Sequence, residues 1–441
     1  MNINNKYIKV ASHEAHKGTF DICLLLYSGG LDTSVMLKWI KETYECQVIA
    51  LTIDIGQTAD NLAEIKQKAL KLGAKEVIIY DAKDEFADKI LSEAIKFNAD
   101  YQGGYALSTP LGRVIISEVA VKIAKQYNCQ VIAHGCTGKG NDQVRFEGYL
   151  TTLNPEIKTI APVREWSLGR DEEIKYAKEH GIPIKQSSLC PYSYDENMWG
   201  NTGEGGEIED PKLVPLLKEI LQWCKLPPEA NNQEETIKIS FSRGVPVALN
   251  GQQHKLSDII KKLNQIGASH GVGIFQLIED RLVGLKVRGV YENPAATILI
   301  AAHKKLEQIV STREENELKT FIDTKWAYLA YGAKWYEPVM FNLRAYAGCQ
   351  NKKVTGKVKL KLFKGNVSVV SVVSPFSLFK HCLATFNKDD HFNQNASAGF
   401  IEIYNLAQKT AYNIIDYNPQ LNKPILKPKQ PYKYSDDMKI L

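Results

Sequence analysis

Short apolar runs alternate with amphipathic stretches over residues 21 to 186, and this alternation constrains the fold more than any other feature of the chain. The runs have the length of strands, and the stretches repeat apolar residues at helical spacing. Repeated strand–helix units predict an α/β fold, with a parallel sheet that helices cover on both faces. Because such sheets bind ligands beyond the carboxyl ends of their strands, we expect a site in the loops there.

The first of these loops reads YSGGLDTS at residues 27 to 34, between an apolar run and an amphipathic helix. Gly29 and Gly30 allow a tight turn whose N–H groups can approach an anion closely. The hydroxyl groups beside them and the positive end of the following helix favour the same ligand. Neither a loop ending in Gly-Lys-Ser/Thr nor a GxGxxG pattern is present. The turn predicts a phosphate or pyrophosphate site; a merely glycine-rich connection is the alternative.

A second loop follows a strand-like run and reads HGCTGKGNDQVRFE at residues 134 to 147. Asn141 and Arg145 are four residues apart, so they share a face of the helix that the loop enters. Arginine suits bidentate contact with a carboxylate, and Asp142 can hold an ammonium group. The loop therefore predicts an amino-acid site next to the first turn. The alternative is a set of polar groups that only cap the helix.

The alternation ends after residue 186, and the rest of the chain has a different organisation. Residues 187 to 232 are rich in Gly, Pro, Asn and Glu and predict a long loop with a functional role. An α+β domain follows, with hairpins around Arg243-Gly244 and Lys364-Gly365 and a strand at 282 to 287. We expect one helix at 398 to 415 and then an extended Pro/Lys-rich tail. The predicted domains are an N-terminal extension (1–20), a nucleotide-binding domain (21–186), a second domain (187–397) and a C-terminal helix and tail (398–441).

Composition excludes several classes of protein. The net charge of +5, from 55 basic and 50 acidic residues, is too mild and mixed to predict binding to nucleic acid or membranes. The eight cysteines include no CxxC pair, so we expect neither disulfides nor a zinc ribbon, and a reduced cytosolic setting is favoured. The N-terminus lacks the apolar core of a signal peptide, and no run is long enough to span a bilayer. We expect a cytoplasmic protein without a metal held by a protein cluster.

The segment SGGLDTS resembles the pyrophosphate loop of the N-type ATP pyrophosphatases, whose nucleotide-binding domain is adenine nucleotide α-hydrolase-like. Further segments, in the same order along the chain, make it similar to the argininosuccinate synthase family over roughly residues 20 to 410. They are IGQ (55–57), YALSTPLGR (105–113), HGCTGKGNDQVRFE (134–147), SYDENMWG (193–200), SHGVG (269–273), IEDR (278–281) and RGVYENPA (288–295).

The resemblance implies an ATP-dependent ligase of arginine biosynthesis that joins citrulline to aspartate. The ureido oxygen of citrulline would attack the α-phosphorus of ATP and release pyrophosphate, and the amine of aspartate would then displace AMP from the citrullyl-adenylate. Positioning and charge stabilisation would suffice without a covalent nucleophile. Mg²⁺ would neutralise the triphosphate, and hydrated Mg²⁺ needs few protein ligands. A homotetramer is also implied, with the C-terminal helix and tail as its oligomerisation arm.

The resemblance also implies the site residues. Asp32 and Asp142 would act as orienting groups. ATP would lie on Tyr27, Ser28, Gly29, Gly30, Leu31, Asp32, Thr33 and Ser34, at Ile53, and on His134, Gly135 and Lys139. Citrulline would be held by Tyr105, Thr109, Asn141, Arg145, Ser193, Thr202, Glu279 and Tyr291. Aspartate would be held by Thr137, Asn141 and Asp142.

Two positions depart from the family's pattern. Thr202 stands where serine is common, and Cys136 stands where alanine is common and is predicted to pack rather than react. The polar N-terminus is expected to be mobile, and its His13 and His16 lack the spacing of a metal motif. The alternatives are another adenylating enzyme, tRNA-modifying or amidating, or a non-catalytic sensor. The charge balance and cysteine spacing argue against the first, and the complete motifs argue against the second.

Overall fold

The computed structural model describes residues 7–58, 62–166, 170–182, 191–385 and 391–414. These residues fall into two compact units that divide after Leu378. Within the described residues, none of the helices combines the length and the apolar composition that a bilayer crossing requires.

The first half of the larger unit is built on a five-stranded sheet in which every neighbouring pair of strands is parallel. The central strand is buried on both faces: Leu24 packs on one side of the sheet, and Cys23 and Leu25 pack on the other. This burial on both faces confirms the predicted α/β fold. The strands are β1 (Ile22–Leu26), β2 (Gln47–Asp54), β3 (Glu76–Asp81), β4 (Val131–Ala133) and β5 (Lys158–Ile160), in the order β3-β2-β1-β4-β5.

Helices connect these strands and cover the sheet. Between residues 83 and 96, two α-helical pieces lie on either side of a π-helical turn, Phe86–Leu91. The helices are α1 (Leu31–Tyr44), α2 (Leu62–Lys71), α3 (Lys83–Glu85), α4 (Ser92–Lys96), α5 (Ser108–Gln126), α6 (Asp142–Leu153), α7 (Pro162–Glu165) and α8 (Arg170–Glu179).

The second half of the larger unit contains two antiparallel sheets, as expected for an α+β domain. One sheet has the order β11-β12-β7-β6 and the other the order β10-β9-β8-β13-β14. The strands are β6 (Tyr192–Asn197), β7 (Gly200–Gly205), β8 (Glu235–Ser242), β9 (Val245–Leu249), β10 (Gln252–Gln253), β11 (Ile274–Asp280), β12 (Lys286–Glu292), β13 (Gly356–Phe363) and β14 (Asn366–Val373). The helices are α9 (Leu217–Ile220), α10 (Leu256–Ser269), α11 (Pro294–Val310), α12 (Arg313–Tyr331) and α13 (Pro338–Gln350).

Two sequence predictions in this half are wrong. Residues 192 to 205 were predicted within a loop but form the hairpin β6–β7, because β12 pairs with β7 and supplies the context that their polar, glycine-rich sequence lacks. Residues 282 to 285 were predicted as strand but form a turn, in which the N–H of Arg281 donates to the carbonyl of Leu285 at 2.8 Å. Gly284 has a φ of +84° there, which suits a turn rather than a strand.

The N-terminal segment also differs from its prediction. From residue 7 onward it packs along the outer edge of β5, where Glu14 and Thr159 form a parallel bridge. Phe20 is buried between the sheet and α1. The expectation of a mobile N-terminus is therefore wrong for residues 7 to 20.

The smaller unit contains α14 (His381–Ala384), α15 (Asn395–Tyr404) and α16 (Leu406–Ile414). The single helix predicted at 398 to 415 is instead two helices that meet at Asn405, whose side chain donates to the carbonyl of Ile401 at 2.9 Å. Such side-chain bonding to the backbone competes with continued helix. The predicted extended tail lies outside the described residues.

Candidate active site

A cleft of about 860 Å³ opens at the carboxyl ends of β1 and β4. The two predicted loops, at 27 to 34 and 134 to 147, form one wall. Residues of β6, β7, β11 and β12 form the opposite wall, so both halves of the larger unit contribute to it. This is the location that the parallel sheet predicts for a ligand.

The first loop presents backbone and hydroxyl groups to the cleft. Gly29 has a φ of +83°, and an added Cβ would lie 2.8 Å from Cγ1 of Ile65, so the tight turn requires glycine. Ser28 Oγ lies 3.1 Å from Thr33 Oγ1, and the N–H of Gly30 points to Ser28 Oγ at 3.3 Å. Gly30 is followed at once by α1, and no side chain of the described residues caps the N-terminus of this helix. The turn therefore combines donor groups with a helix N-terminus, which suits an anion.

Two residues of the first loop form hydrogen bonds within the loop itself. Tyr27 is buried, and its hydroxyl lies 3.1 Å from Ser34 Oγ. Ser34 in turn donates to the carbonyl of Gly30 at 2.6 Å. These bonds fix the shape of the turn, so both side chains support the site without facing the cleft.

The second loop brings the backbone around Gly135, Thr137 and Gly140 to the cleft. His134 is buried behind it, and its Nδ1 accepts from the N–H of Cys136 at 3.3 Å. Cys136 is half-buried and lines the cleft, and desolvation raises the pKa of its thiol above its usual range, so the thiol is a weak nucleophile there. Lys139 is exposed and does not line the cleft.

Asp142, at the start of α6, lies between two guanidinium groups. Arg113 donates to Oδ2 from Nε at 3.0 Å and from Nη2 at 2.8 Å, and Arg145 donates to Oδ1 at 2.8 Å. Burial alone would raise the pKa of Asp142, but the two arginines outweigh it and lower the pKa to about 2. Arg113 also contacts Asp195 of β6, so it joins the two walls of the cleft.

The side chains of Asn141 and Arg145 are oriented by α12 and by the turn after β11. Asn141 donates to the Tyr331 hydroxyl at 2.7 Å and accepts from the N–H of Leu282 at 2.8 Å. Arg145 donates from Nε and Nη2 to the carbonyl of Tyr331 at 3.2 and 3.1 Å. Its guanidinium carbon lies 4.8 Å from the centre of the Tyr331 ring. These contacts hold both polar groups in fixed positions, as a binding site requires.

Aromatic and acidic side chains also line the cleft, several of them on the opposite wall. The rings of Tyr105 and Tyr291 are 4.6 Å apart at their centres. Thr202 Oγ1 is buried and finds no hydrogen-bond partner among the described residues, which is unusual for a hydroxyl and suits one that a ligand would satisfy. Burial raises the pKa of Glu279 above its usual value, although Arg145 and Arg281 oppose the shift. Such perturbed carboxyl groups in a cleft are typical of functional sites.

Most of the sequence-predicted residues line this one cleft, and a few do not. Tyr27, Gly29, Ser34, Ile53, His134 and Lys139 are absent from its lining. The residues that line it are Ser28, Gly30, Leu31, Asp32, Thr33, Tyr105, Thr109, Gly135, Thr137, Asn141, Asp142, Arg145, Ser193, Thr202, Glu279 and Tyr291.

Sequence reasoning missed four charged residues of the cleft. Arg113 pairs with Asp142 and Asp195, and Arg281 donates to both carboxylate oxygens of Glu204 at 2.8 and 2.7 Å. Three of these residues lie in the segments that resemble the family: Arg113 is the last residue of YALSTPLGR, Asp195 lies within SYDENMWG and Arg281 is the last residue of IEDR. Their positions in these segments were a signal that could have identified them. Glu204 lies outside these segments, so its sequence context carries no comparable signal.

Comparisons with known proteins agree with this geometry. The arginosuccinate synthase N-terminal HUP domain model matches residues 22–183, and the arginosuccinate synthase C-terminal domain model matches residues 192–411. A solved structure, the U34-tRNA thiolase NcsA from Methanococcus maripaludis, covers 40% of this chain and 61% of its own at 20% identity and a TM-score of 0.27, which is too low to bear on fold or function.

Curated relatives match most of the chain. The argininosuccinate synthase of Pyrococcus furiosus is 45% identical over 392 residues, which cover 89% of this chain and 94% of that protein. The argininosuccinate synthase of Brevibacillus brevis is 46% identical over 395 residues, covering 88% and 92%. That of Symbiobacterium thermophilum is 44% identical over 387 residues, covering 88% and 96%. Since both domain models match and the relatives are similar over nearly their full lengths, this chain belongs to the argininosuccinate synthase family.

Proposed function

We propose that the protein joins L-citrulline to L-aspartate in this cleft and cleaves ATP to AMP and pyrophosphate in the same reaction. The observation that carries the proposal is the convergence of two unlike sites in one cleft. The turn at the N-terminus of α1, which suits an anion, lines the same cleft as a carboxylate, Asp142, that two arginines keep ionised. A ligase that adenylates one amino acid and couples it to another needs both sites side by side.

The turn at 28 to 33 would hold the pyrophosphate half of ATP. Its N–H and hydroxyl groups would bind the phosphate oxygens, and the α1 N-terminus would stabilise the negative charge that develops on the leaving pyrophosphate. The backbone of Gly135 would hold the nucleotide from the β4 side. Each of these groups is fixed before substrate arrives, which reduces the cost of reorganisation during the reaction.

Mg²⁺ fits this donor set as an ion carried by the triphosphate. No cluster of three or more His, Cys, Asp or Glu side chains that could hold a metal occurs in the described part of the chain. Mg²⁺ keeps several waters and uses few carboxylates at phosphate sites, so Asp32 on the turn would suffice to hold one of those waters. Bound Mg²⁺ would neutralise charge on the phosphate oxygens.

Citrulline would bind between the two walls of the cleft. Glu279 would hold its ammonium group, Arg145 its carboxylate, and the rings of Tyr105 and Tyr291 would pack along its aliphatic stem. The hydroxyl of Thr202, together with Ser193, Thr109 and Asn141, would supply further hydrogen bonds. This placement would direct the ureido oxygen towards the α-phosphorus, because the phosphate turn lies across the cleft.

Aspartate would bind beside Asp142, with Thr137 and Asn141 as its other contacts. A carboxyl group with a pKa of about 2 stays ionised throughout the physiological range and can hold an ammonium group at every working pH. Aspartate would then present its nitrogen to the ureido carbon of the citrullyl-adenylate, and AMP would leave with the former ureido oxygen. His134 and Lys139 are proposed only as neighbours of ATP, since neither lines the cleft.

Assembly and location are also proposals. A homotetramer with the C-terminal helices as an arm is supported by the exposed apolar side chains of α15 and α16, among them Phe400, Ile403 and Leu406. A cytoplasmic location is supported by the free thiols of the described cysteines. The domain bounds 1–20, 21–186, 187–397 and 398–441 are also proposals, and the change from a parallel sheet to antiparallel sheets between β5 and β6 supports the boundary at 186.

The experiment that tests the proposal measures pyrophosphate release from ATP by the purified protein. We expect sustained release only when citrulline and aspartate are both present, and formation of AMP and argininosuccinate in equal amounts. Release that requires RNA, or no release with any pair of amino acids, refutes the proposal. Arg145→Ala should weaken the use of citrulline far more than the binding of ATP.

A further inference from the structure

Residues 7–20 precede the region that either family model matches, which begins at residue 22. They nevertheless pack against the part of the chain that carries the second loop. The N–H of Thr159 in β5 donates to the carbonyl of His13 at 2.8 Å, and the N–H of Ala15 donates to the carbonyl of Thr159 at 3.0 Å. These bonds cover the open edge of β5, and they also set the side chains of His13 and Glu14 at fixed positions.

Both of these side chains join a partly buried charged cluster. His13 Nε2 lies 2.5 Å from Oε2 of Glu147. Arg164 lies between the acidic groups, 2.7 Å from Glu147 and 3.8 Å from Glu14. Glu14 is 6% exposed, and its carboxylate accepts from the N–H groups of Val10 and Ala11 at 2.9 and 3.0 Å.

The cluster is connected to both ends of the second loop. At one end, Glu147 Oε1 lies 3.1 Å from Nε2 of His134. His134 accepts from the N–H of Cys136 at Nδ1, so its proton lies on Nε2 and is donated to Glu147. At the other end, Arg164 donates to Oε1 of Gln143 at 3.1 Å, and Gln143 Nε2 donates to the carbonyl of Gly138 at 2.6 Å.

Glu147 is the centre of this network. Burial would raise the pKa of its carboxyl group, but the hydrogen bond from His134 and the charge of Arg164 lower it to about 2. An ionised carboxylate can only accept hydrogen bonds, so His13 and Arg164 both donate to it. Removing a donor from such a partly buried cluster leaves charge without a partner and lets the connected groups move.

We propose that the N-terminal segment 7–20 is a positioning element of the active site, which holds the loop at 134 to 140 in its binding geometry through Glu14, Arg164 and Glu147. It reaches the cleft through the backbone of the loop, where Gly135 and Thr137 face the ligand space. The role of Thr137 towards aspartate rests on the proposed function; the mechanical connection between segment and loop does not.

The test compares His13→Ala and Glu14→Ala with Lys17→Ala as the matched control. Lys17 lies on the same segment but, among the residues that the structure describes, it forms an ion pair only with the exposed Glu45, at 2.6 Å. We expect the first two variants to raise the KM for aspartate roughly two- to thirtyfold with a smaller change in kcat, as remote positioning contacts do. Amide hydrogen exchange over residues 135 to 143 should become faster in the same variants. His13→Gln, which keeps an N–H donor, should restore most of both properties.

The exchange measurement keeps the test independent of the proposed reaction. If the protein shows no ligase activity, faster exchange confined to the loop still supports the positioning role. Unchanged exchange and an unchanged KM in both variants overturn it. Equal effects in Lys17→Ala, or faster exchange over the whole first half rather than the loop, overturn it as well, because they indicate general destabilisation. His13 is partly exposed, so its variant should fold even if Glu14→Ala does not.

Discussion

Arg113→Ala removes the side chain that joins the two walls of the cleft. In the native structure its guanidinium donates twice to Asp142 and contacts Asp195. The side chain of Arg113 is 14% exposed, and those of Asp142 and Asp195 are 23% and 33% exposed. The substitution therefore leaves Asp142 with Arg145 as its one remaining arginine partner and leaves Asp195 without its guanidinium partner, while the two carboxylates stay close together.

The expected magnitude follows from these contacts. Breaking a fully buried ion pair costs roughly 3–5 kcal/mol of unfolding free energy. Asp142 keeps Arg145 at 2.8 Å, and both carboxylates retain access to water, so we expect about 2–3 kcal/mol. The pKa of Asp142 should rise from about 2 towards its usual value but stay below neutral pH. The carboxylate thus remains charged but loses its orientation, and the KM for aspartate should rise about tenfold or more.

Urea unfolding and steady-state assays of pyrophosphate release measure these two effects. Arg344→Ala is the matched control, because Arg344 pairs with Glu93 at 2.9 Å at a comparably buried position outside the cleft. The control should lose stability and keep its KM for aspartate. Arg113→Lys should recover part of the stability but little of the activity, since an ammonium group cannot reproduce the planar contact with both carboxylates. A normal KM for aspartate in Arg113→Ala refutes the reasoning.

The remaining predictions concern the second wall and the phosphate turn. Because burial raises the pKa of Glu279, the folded state binds more protons than the unfolded state from about pH 4.5 up to the raised pKa, and above that window the ionised group costs stability. Glu279→Gln should therefore raise Tm without substrate and raise the KM for citrulline about tenfold or more. In the native enzyme this KM should increase as pH falls through the raised pKa of Glu279, and the substitution should abolish that increase. A native KM for citrulline that does not depend on pH contradicts this expectation. At Gly29 the φ is +83° and an added Cβ would lie 2.8 Å from Ile65, so Gly29→Ala should cost about 1–3 kcal/mol of unfolding free energy and weaken ATP binding. Gly148→Ala is the control: an added Cβ has open space around it in α6, so this variant should be neutral or stabilising.

The sequence predicted the parts of the fold that depend on local pattern. The apolar runs of β1 and β2 are long and bounded by turns, so their strands and the ligand-binding edge of the sheet could be predicted. The hairpin between β8 and β9 was predicted from Arg243-Gly244, and both residues have positive φ there. The hairpin β6–β7 was not predicted, because its stability comes from pairing with β12 rather than from its own residues.

The same distinction applies to the site. Asn141, Asp142 and Arg145 could be placed together from one short segment, because helical spacing fixes their neighbourhood. Arg113 could not, since its role depends on partners from α6 and β6 that are 29 and 82 residues away in the chain. The contribution of His13 could not be predicted either, because it depends on Glu147, which lies 134 residues further along the chain. Long-range pairing of charged groups leaves no periodic signal in a single sequence.

The fate of the ureido oxygen of citrulline tests the central claim most directly. If that oxygen attacks the α-phosphorus and AMP leaves with it, citrulline labelled with ¹⁸O in the ureido group should transfer one labelled oxygen to each AMP formed in the presence of aspartate. Mass spectrometry of the AMP measures this transfer, and ¹⁸O-labelled water with unlabelled citrulline provides the control. Unlabelled AMP from labelled citrulline, or AMP that takes its oxygen from water, would contradict the adenylation mechanism proposed for this cleft.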